Sequence, residues 1–245
     1  MPFLHGSKTS VYLGGLDLSP YFNAAEWSTD QDSAETTTFS ALWKTFIAGE
    51  QAAKATFSGF YDPTMLDVEQ TLGVDWSLIT GVLTYCPRGS TIGDDARLLS
   101  VATSSYVQSS PVGGAVGIKW DVMASAPVGF GWVLHPLAAD TNTTTGATKD
   151  DTAATSLGWV AHLHVTAVSG GSWVVKLEDA SAANFSDGAD VTGGTFTAAT
   201  GKTSQRLLAA TPTTALRRYV RYVATRTGGI AGDTITFQLS YSRNS

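Results

Sequence analysis

Three things are scarce in this chain of 245 residues: charge, cysteine and long apolar runs. Charged residues make up 15%, against ~25% in an ordinary soluble domain. Thr, Ser, Ala and Gly take their place, a composition that suits a surface covered by neighbours, because charge is depleted at interface centres. A single cysteine, Cys86, excludes an intrachain disulfide. It sits between Tyr85 and Pro87 at the end of an apolar run and reads as a buried, inert thiol. No stretch approaches the ~20 apolar residues of a membrane-spanning helix. The segment MPFLHGSKTS has no long apolar run of the secretory kind, so folding in a cytoplasm is expected. The formal charge of −6 argues against a nucleic-acid binder, which needs Lys and Arg to neutralise phosphate. It is compatible with a conduit whose acidic wall repels passing DNA.

Enzyme signatures are also missing. There is no G-x-S-x-G elbow and no phosphate-cradling G-x-x-x-x-G-K-[ST]. Glu178 and Asp179 are adjacent on a strand and point to opposite faces, the wrong geometry for a catalytic carboxylate pair. The chain reads as a non-enzyme with no cofactor.

Strand periodicity fills most of the sequence. Strands are expected at Val11 to Leu16, Thr36 to Leu42, Ala53 to Tyr61, Leu78 to Tyr85, Arg97 to Gln108 and Val116 to Met123. Ala53, Ala55, Phe57, Gly59 and Tyr61 alternate with Lys54, Thr56 and Ser58, the pattern of a half-buried strand. One short helix is expected over 63–72, capped by Asp62, opened by Pro63 and closed by Gly73. Residues Ala138 to Ser156 hold seven Thr and no large apolar side chain, so they read as a linker or long surface loop. That divides the chain into a β domain over 1–137, the loop 138–156, and a C-terminal β-sandwich subdomain over 157–245. In the last part, Gly170-Gly171 reads as a hairpin turn between two alternating runs, and Arg217 to Arg243 as a C-terminal hairpin.

Several groups of residues invite a role. His162 and His164 share one strand face; with a third ligand they have the spacing of a zinc pair, but only His5 and His135 remain as further histidines. The plainer reading is a polar outer face. An acidic arm carries Glu26, Asp30, Asp32 and Glu35. Its D-x-D pair is a fragment of a calcium loop without the glycine and distal Glu, and reads as solvated or as a docking surface for Arg217, Arg218, Arg221 and Arg226 of another subunit. Trp132, Trp159 and Trp173 lie in apolar runs and read as core. Trp27 and Trp43 flank the acidic arm and read as interface anchors.

The stretch from Gly14 to Asp62 resembles the N-terminal half of bacteriophage major tail tube proteins. Those proteins carry an L-x-L-S opening segment, an E-T-T-x-F strand, a Lys/Phe/Ile-Ala-Gly turn and an A-x-x-S-G-x-Y-D strand. The matching residues are Leu16, Leu18 and Ser19; Glu35, Thr36, Thr37 and Phe39; Lys44, Phe46, Ile47, Ala48 and Gly49; and Ser58, Gly59, Tyr61 and Asp62. Arg217 to Arg243 also resembles the C-terminal hairpin of several phage tail proteins. The resemblance implies a mainly β fold, a β-sandwich or half-barrel of the tail tube type with one short helix, whose strands complete a barrel between subunits. It implies hexameric rings stacked into a tube in the virion tail, assembled in the host cytoplasm around a tape-measure protein and closed by a terminator, with DNA passing without specific binding and no membrane involved. A flexible arm from Asp17 to Glu35, with Asp17, Trp27, Asp30, Asp32 and Glu35, is expected at ring-to-ring contacts; Trp43 and the four arginines are expected between subunits. The alternative is a β-sandwich adhesin or carbohydrate-binding module.

Overall fold

The computed structural model describes residues 6–38, 42–62, 72 and 81–244. The helix expected over 63–72 lies outside that set except for Leu72, which is buried. So do the first three residues of the strand expected at Leu78 to Tyr85. The described residues form sixteen strands: β1 (Ser10–Leu13), β2 (Leu16–Asp17), β3 (Phe22–Glu35), β4 (Phe46–Phe60), β5 (Gly81–Cys86), β6 (Asp95–Ser109), β7 (Gly117–Ala124), β8 (Gly129–Thr141), β9 (Thr144–Thr145), β10 (Lys149–Asp150), β11 (Trp159–Val168), β12 (Ser172–Ala180), β13 (Ala189–Thr195), β14 (Thr203–Leu208), β15 (Tyr219–Thr227) and β16 (Thr234–Arg243). Among these residues no helix is long and apolar enough to cross a membrane.

The chain divides into two compact units. The first holds residues 1–20, 80–100 and 127–245, and the second 21–79 and 101–126.

In the first unit one sheet runs in the order β14-β11-β16-β8-β6-β5-β1-β2. A second runs β10-β15-β12-β13, with β9 beside β15. Their facing sides enclose a sandwich core of Ala161, Leu163 and Val165 from β11, Trp173, Val175 and Leu177 from β12, Tyr222 and Ala224 from β15, and Phe237, Leu239 and Tyr241 from β16. Each set is every second residue, so period two delivers one face of each strand to the core. Trp159 and Trp173 are buried as expected, while Trp132 is half-buried under the Lys149 ammonium, 4.9 Å from its ring centre.

The first sheet curls. Three strands separate β11 from β5 in its order, which in a flat sheet would hold them about 19 Å apart at the usual spacing. Yet Thr84 Oγ1 of β5 lies 2.8 Å from His164 Nε2 and 3.2 Å from His162 Nδ1 of β11. A half-barrel is the only course that brings them together. Val133 and Val160 are therefore buried on the inside of the curl with Tyr12, Cys86, Ala96 and Leu98. At the rim, Gly14 and Gly15 (φ 60° and 78°) turn β1 into β2 in two residues, backbone angles that favour glycine.

Two expected hairpins are instead crossings between sheets. Gly170-Gly171 joins β11 of the first sheet to β12 of the second, and the turn after Thr227 joins β15 of the second to β16 of the first. Alternating strands with one apolar face can pair edge to edge or stack face to face, and here stacking buries Trp173 and Phe237 in one core.

Residues 138–156 carry the end of β8 and then β9 and β10, both paired with β15. Their polar side chains anchor this course. Asp151, fully buried at its carboxylate, accepts from Tyr241 Oη and Arg243 Nε, each at 2.6 Å, and from Lys149 Nζ at 3.3 Å. Arg243 also donates to the carbonyls of Ala153 and Leu216. A buried charge held this way keeps the segment in place because no hydration replaces lost partners.

The second unit is one antiparallel sheet in the order β3-β4-β7-β6, to which β6 gives residues 101–109. Ala53, Ala55, Phe57, Ile118, Trp120 and Val122 are buried on one face. Phe57 stacks on Trp120 at 5.3 Å and meets Phe22 at 5.4 Å.

Candidate assembly surface

The β3–β4 hairpin dominates the second unit. Its strands have 14 and 15 residues, more than twice the usual 5–6. Near the sheet β4 alternates buried positions with half-buried or exposed ones, while β3 is half-buried or exposed. Beyond Gln31 and before Ala53 every residue is exposed on both faces. Cross-strand hydrogen bonds continue to Glu35↔Phe46, with an irregularity between Gln31 and Ser33. A two-stranded ribbon without a packed face is marginal by itself in water.

Threonines tie the far end. Thr36 N donates to the Thr45 carbonyl at 2.7 Å, and Thr45 N to Thr37 Oγ1 at 3.1 Å. This local bonding competes with strand pairing, and it explains why the strand expected at Thr36 to Leu42 is not one where it is described: Thr36 to Thr38 are irregular and Leu42 lies in a bend. Of the expected turn from Lys44 to Gly49, Phe46 to Gly49 are likewise the start of β4. Lys44 Nζ meets Glu35 Oε2 at 3.0 Å and holds that carboxyl below its usual range.

Apolar side chains cluster at this end. Leu42 is 97% exposed and Trp43 85%, and Phe46 and Ile47 are more than half exposed. Scattered exposed apolar residues are ordinary, but a group at the tip of one projecting ribbon is the pattern of an interaction site. The outer edge of β3 pairs with no strand among the described residues, leaving a row of backbone donors and acceptors open to a further strand.

The expected arm residues fall into two groups. Asp30 and Asp32 are exposed on β3, with Asp30 bound to Lys54 at 3.1 Å; Glu35 ends the strand, and Trp27 is half-buried on the apolar face. The arm is thus an ordered strand. Asp17 stands apart in the first unit, where it accepts from Ser19 N at 3.0 Å and Ser19 Oγ at 2.5 Å and shapes a turn.

All four arginines are already engaged within the first unit. Arg217 meets Asp179 at 2.7 Å and Asp187 at 3.3 Å. Arg218 grips Asp150 with two bonds of 2.7 Å, which holds that carboxyl down to about 2. Arg221 meets Glu178 at 2.8 Å and lies 4.0 Å over Phe185. Arg226 donates to the Ile230 carbonyl and lies 3.9 Å from Asp233. Sequence spacing carried no sign of these partners, since Asp150 and Asp179 are distant in the chain.

His162 and His164 do not form a polar outer face. Both are buried inside the curl, because both faces of β11 are covered. Burial pushes His164 down to about 3 and His162 well below the ordinary imidazole value, with the charges of His164 and Arg206 adding to the effect at His162. His135 is engaged elsewhere, stacked on Phe237 at 4.2 Å with Nδ1 3.1 Å from that residue's carbonyl, and His5 lies outside the described residues. Cys86 is buried, and burial pushes its thiol up to about 12.

No protein-family model matches the sequence, and no curated protein matches it. Among solved structures, the chain is similar to one in the virion of a native gene transfer agent particle, at 12% identity over 52% of this chain and 98% of that one, with a TM-score of 0.43. It is similar to the tail tube of SPP1 at 12% identity over 51% of this chain and 77% of that one, with a TM-score of 0.40. The Dit protein of SPP1 aligns over 96% of this chain and 99% of its own, at 12% identity and a TM-score of 0.34.

Proposed function

We propose that this chain is a structural subunit of a phage-type tail tube, assembling into stacked hexameric rings around a bore that conducts DNA. The observation that carries the reading is the β3–β4 hairpin: a long ribbon, exposed on both faces in its outer half, tipped with Trp43, Phe46 and Ile47 and flanked by the open edge of β3. A sister copy completes the sheet at that edge, and a copy in the next ring covers the apolar tip. Closing a sheet across copies removes its edges and creates a bore. The strands proposed for the barrel are β3, β4, β7 and the outer half of β6; β5 pairs with β1 in the first unit. The motif order from Leu16 to Asp62 supports the same reading. Tape-measure and terminator proteins are the implied partners, and the virion tail the implied location. The adhesin alternative draws no support from Trp159 and Trp173, which lie in the core.

Negative-stain microscopy of the purified chain at rising concentration tests the proposal. Rings and tubes are the expected result. Monodisperse small particles at every concentration would overturn it.

A further inference from the structure

The face of the second-unit sheet opposite Phe57 and Trp120 has its own chemistry. Cross-strand register aligns Glu26, Thr56 and Asp121 in one row, Ser58 and Lys119 in the next, and Lys54 and Met123 in another. Most side chains there are short and polar. The charged ones are paired: Lys54 meets Asp30 at 3.1 Å, Lys119 meets Asp121 at 3.3 Å, and Thr56 Oγ1 donates to Asp121 at 2.6 Å. That last bond is the main reason the Asp121 carboxyl sits below its usual range. Up to the irregularity beyond Gln31, Glu26, Asp30 and Asp121 against Lys54 and Lys119 leave a net charge of −1 on this face. The exposed apolar groups stand at its margins: Phe60 and Met123 at opposite ends, six residues apart in register along β4, and Val107 on the last strand, β6. A partner surface needs a central apolar anchor, and this face has none.

We infer that this face lines the bore of the tube, and that it lets a polyanion pass because its charges pair and nearly cancel, not because the wall is strongly acidic. The inference rests on the tube reading and adds which side of the sheet faces inward. A uniformly acidic wall would repel DNA and also repel itself around each ring. A paired wall avoids both effects and offers phosphate no unopposed ammonium to release counterions against.

Cysteine accessibility tests the orientation, because the native Cys86 is buried and contributes no background. Ser58→Cys and, as a second position, Lys119→Cys report on this face; Ala183→Cys, exposed in the first unit, is the reference position. In monomers all three react with both a small maleimide and a polymer-linked maleimide too large for the bore. In tubes the two face positions keep their reaction with the small reagent and lose it with the large one, while Ala183→Cys keeps both. Equal reaction with the large reagent in tubes and monomers would place the face outside. Loss of reaction with both reagents would place it in a contact between copies. Either result overturns the inference and leaves the tube reading standing; the absence of tubes overturns both. The charge claim has its own arm. Glu26→Lys with Asp30→Lys, each reversal worth two units, takes the face from −1 to +3. Those tubes should retain duplex DNA in a salt-dependent way where the parent tubes do not. Equal retention by both would overturn the claim.

Discussion

At the scale of single residues, Gly59 shows how a motif letter acquires a cause. A Cβ there would stand 1.9 Å from the Tyr21 carbonyl oxygen and 2.9 Å from Phe22 Cα. The backbone entering β3 crosses β4 at this point, and only hydrogen fits. Gly117, on β7 opposite Phe60, is different, since a Cβ there meets nothing nearer than the Gly59 oxygen at 3.7 Å. Gly59→Ala should therefore cost about 3 kcal/mol, the upper part of the overpacking range. Gly117→Ala should be neutral or gain about 0.5 kcal/mol through the unfolded chain. Urea midpoints of the two variants check this, and equal midpoints would mean that the crossing is not tight. The sequence marked Gly59 as part of a motif, but the crossing that requires it lies in the pairing of β3 with β4.

At the scale of elements, the hairpin is the part whose stability and role separate. Its inner half is held by Phe22, Phe57 and Trp120, and its tip by little more than local threonine bonds and the Glu35–Lys44 pair. Trp43→Ser combined with Phe46→Ser removes exposed side chains, so the monomer should keep its stability within about 0.5 kcal/mol. Assembly should need about tenfold more protein or worse, as when an interface anchor is lost. Light scattering against concentration reads the onset, and an unchanged onset would dismiss the tip as a contact. Periodicity found β6 and β7 within two residues of their ends, and of β4 the inner part from Ala53 but not its first seven residues. It missed all of β3, read as a flexible arm, since exposed Asp, Gln, Ser and Glu give no apolar alternation. The two sheet crossings were misread for a related reason: alternation gives a strand's faces but does not say whether its neighbour lies beside or above it.

At the scale of the whole molecule, the curl of the first sheet encloses His162 and His164, and this gives folding a pH dependence with a definite sign. Their folded-state affinity for protons is depressed by burial, to about 3 for His164. Unfolded imidazoles titrate near 6.5. Above that value neither state binds the proton and the pair has no pH effect. Below it the unfolded chain takes up protons that the folded chain refuses, so stability is lost as the pH falls from about 6.5 towards 3, at up to about 1.4 kcal/mol per pH unit for each histidine. Urea unfolding at pH 7 and pH 5 should show the fall, and His164→Gln with His162→Gln should flatten it. An equal slope in the parent and the double variant would remove the histidines as its cause.

The amino-acid sequence determined what local spacing can carry: a mainly β chain, apolar faces at every second residue, a buried cysteine and a motif order from Leu16 to Asp62. Tertiary structure alone decided which faces meet. It set Arg217, Arg218, Arg221 and Arg226 on carboxylates of their own chain, turned both faces of β11 inward, and left the end of the hairpin uncovered. Those outcomes depend on how strands stack and curl, and stacking and curling are fixed by contacts between residues far apart in the chain, which no local period records.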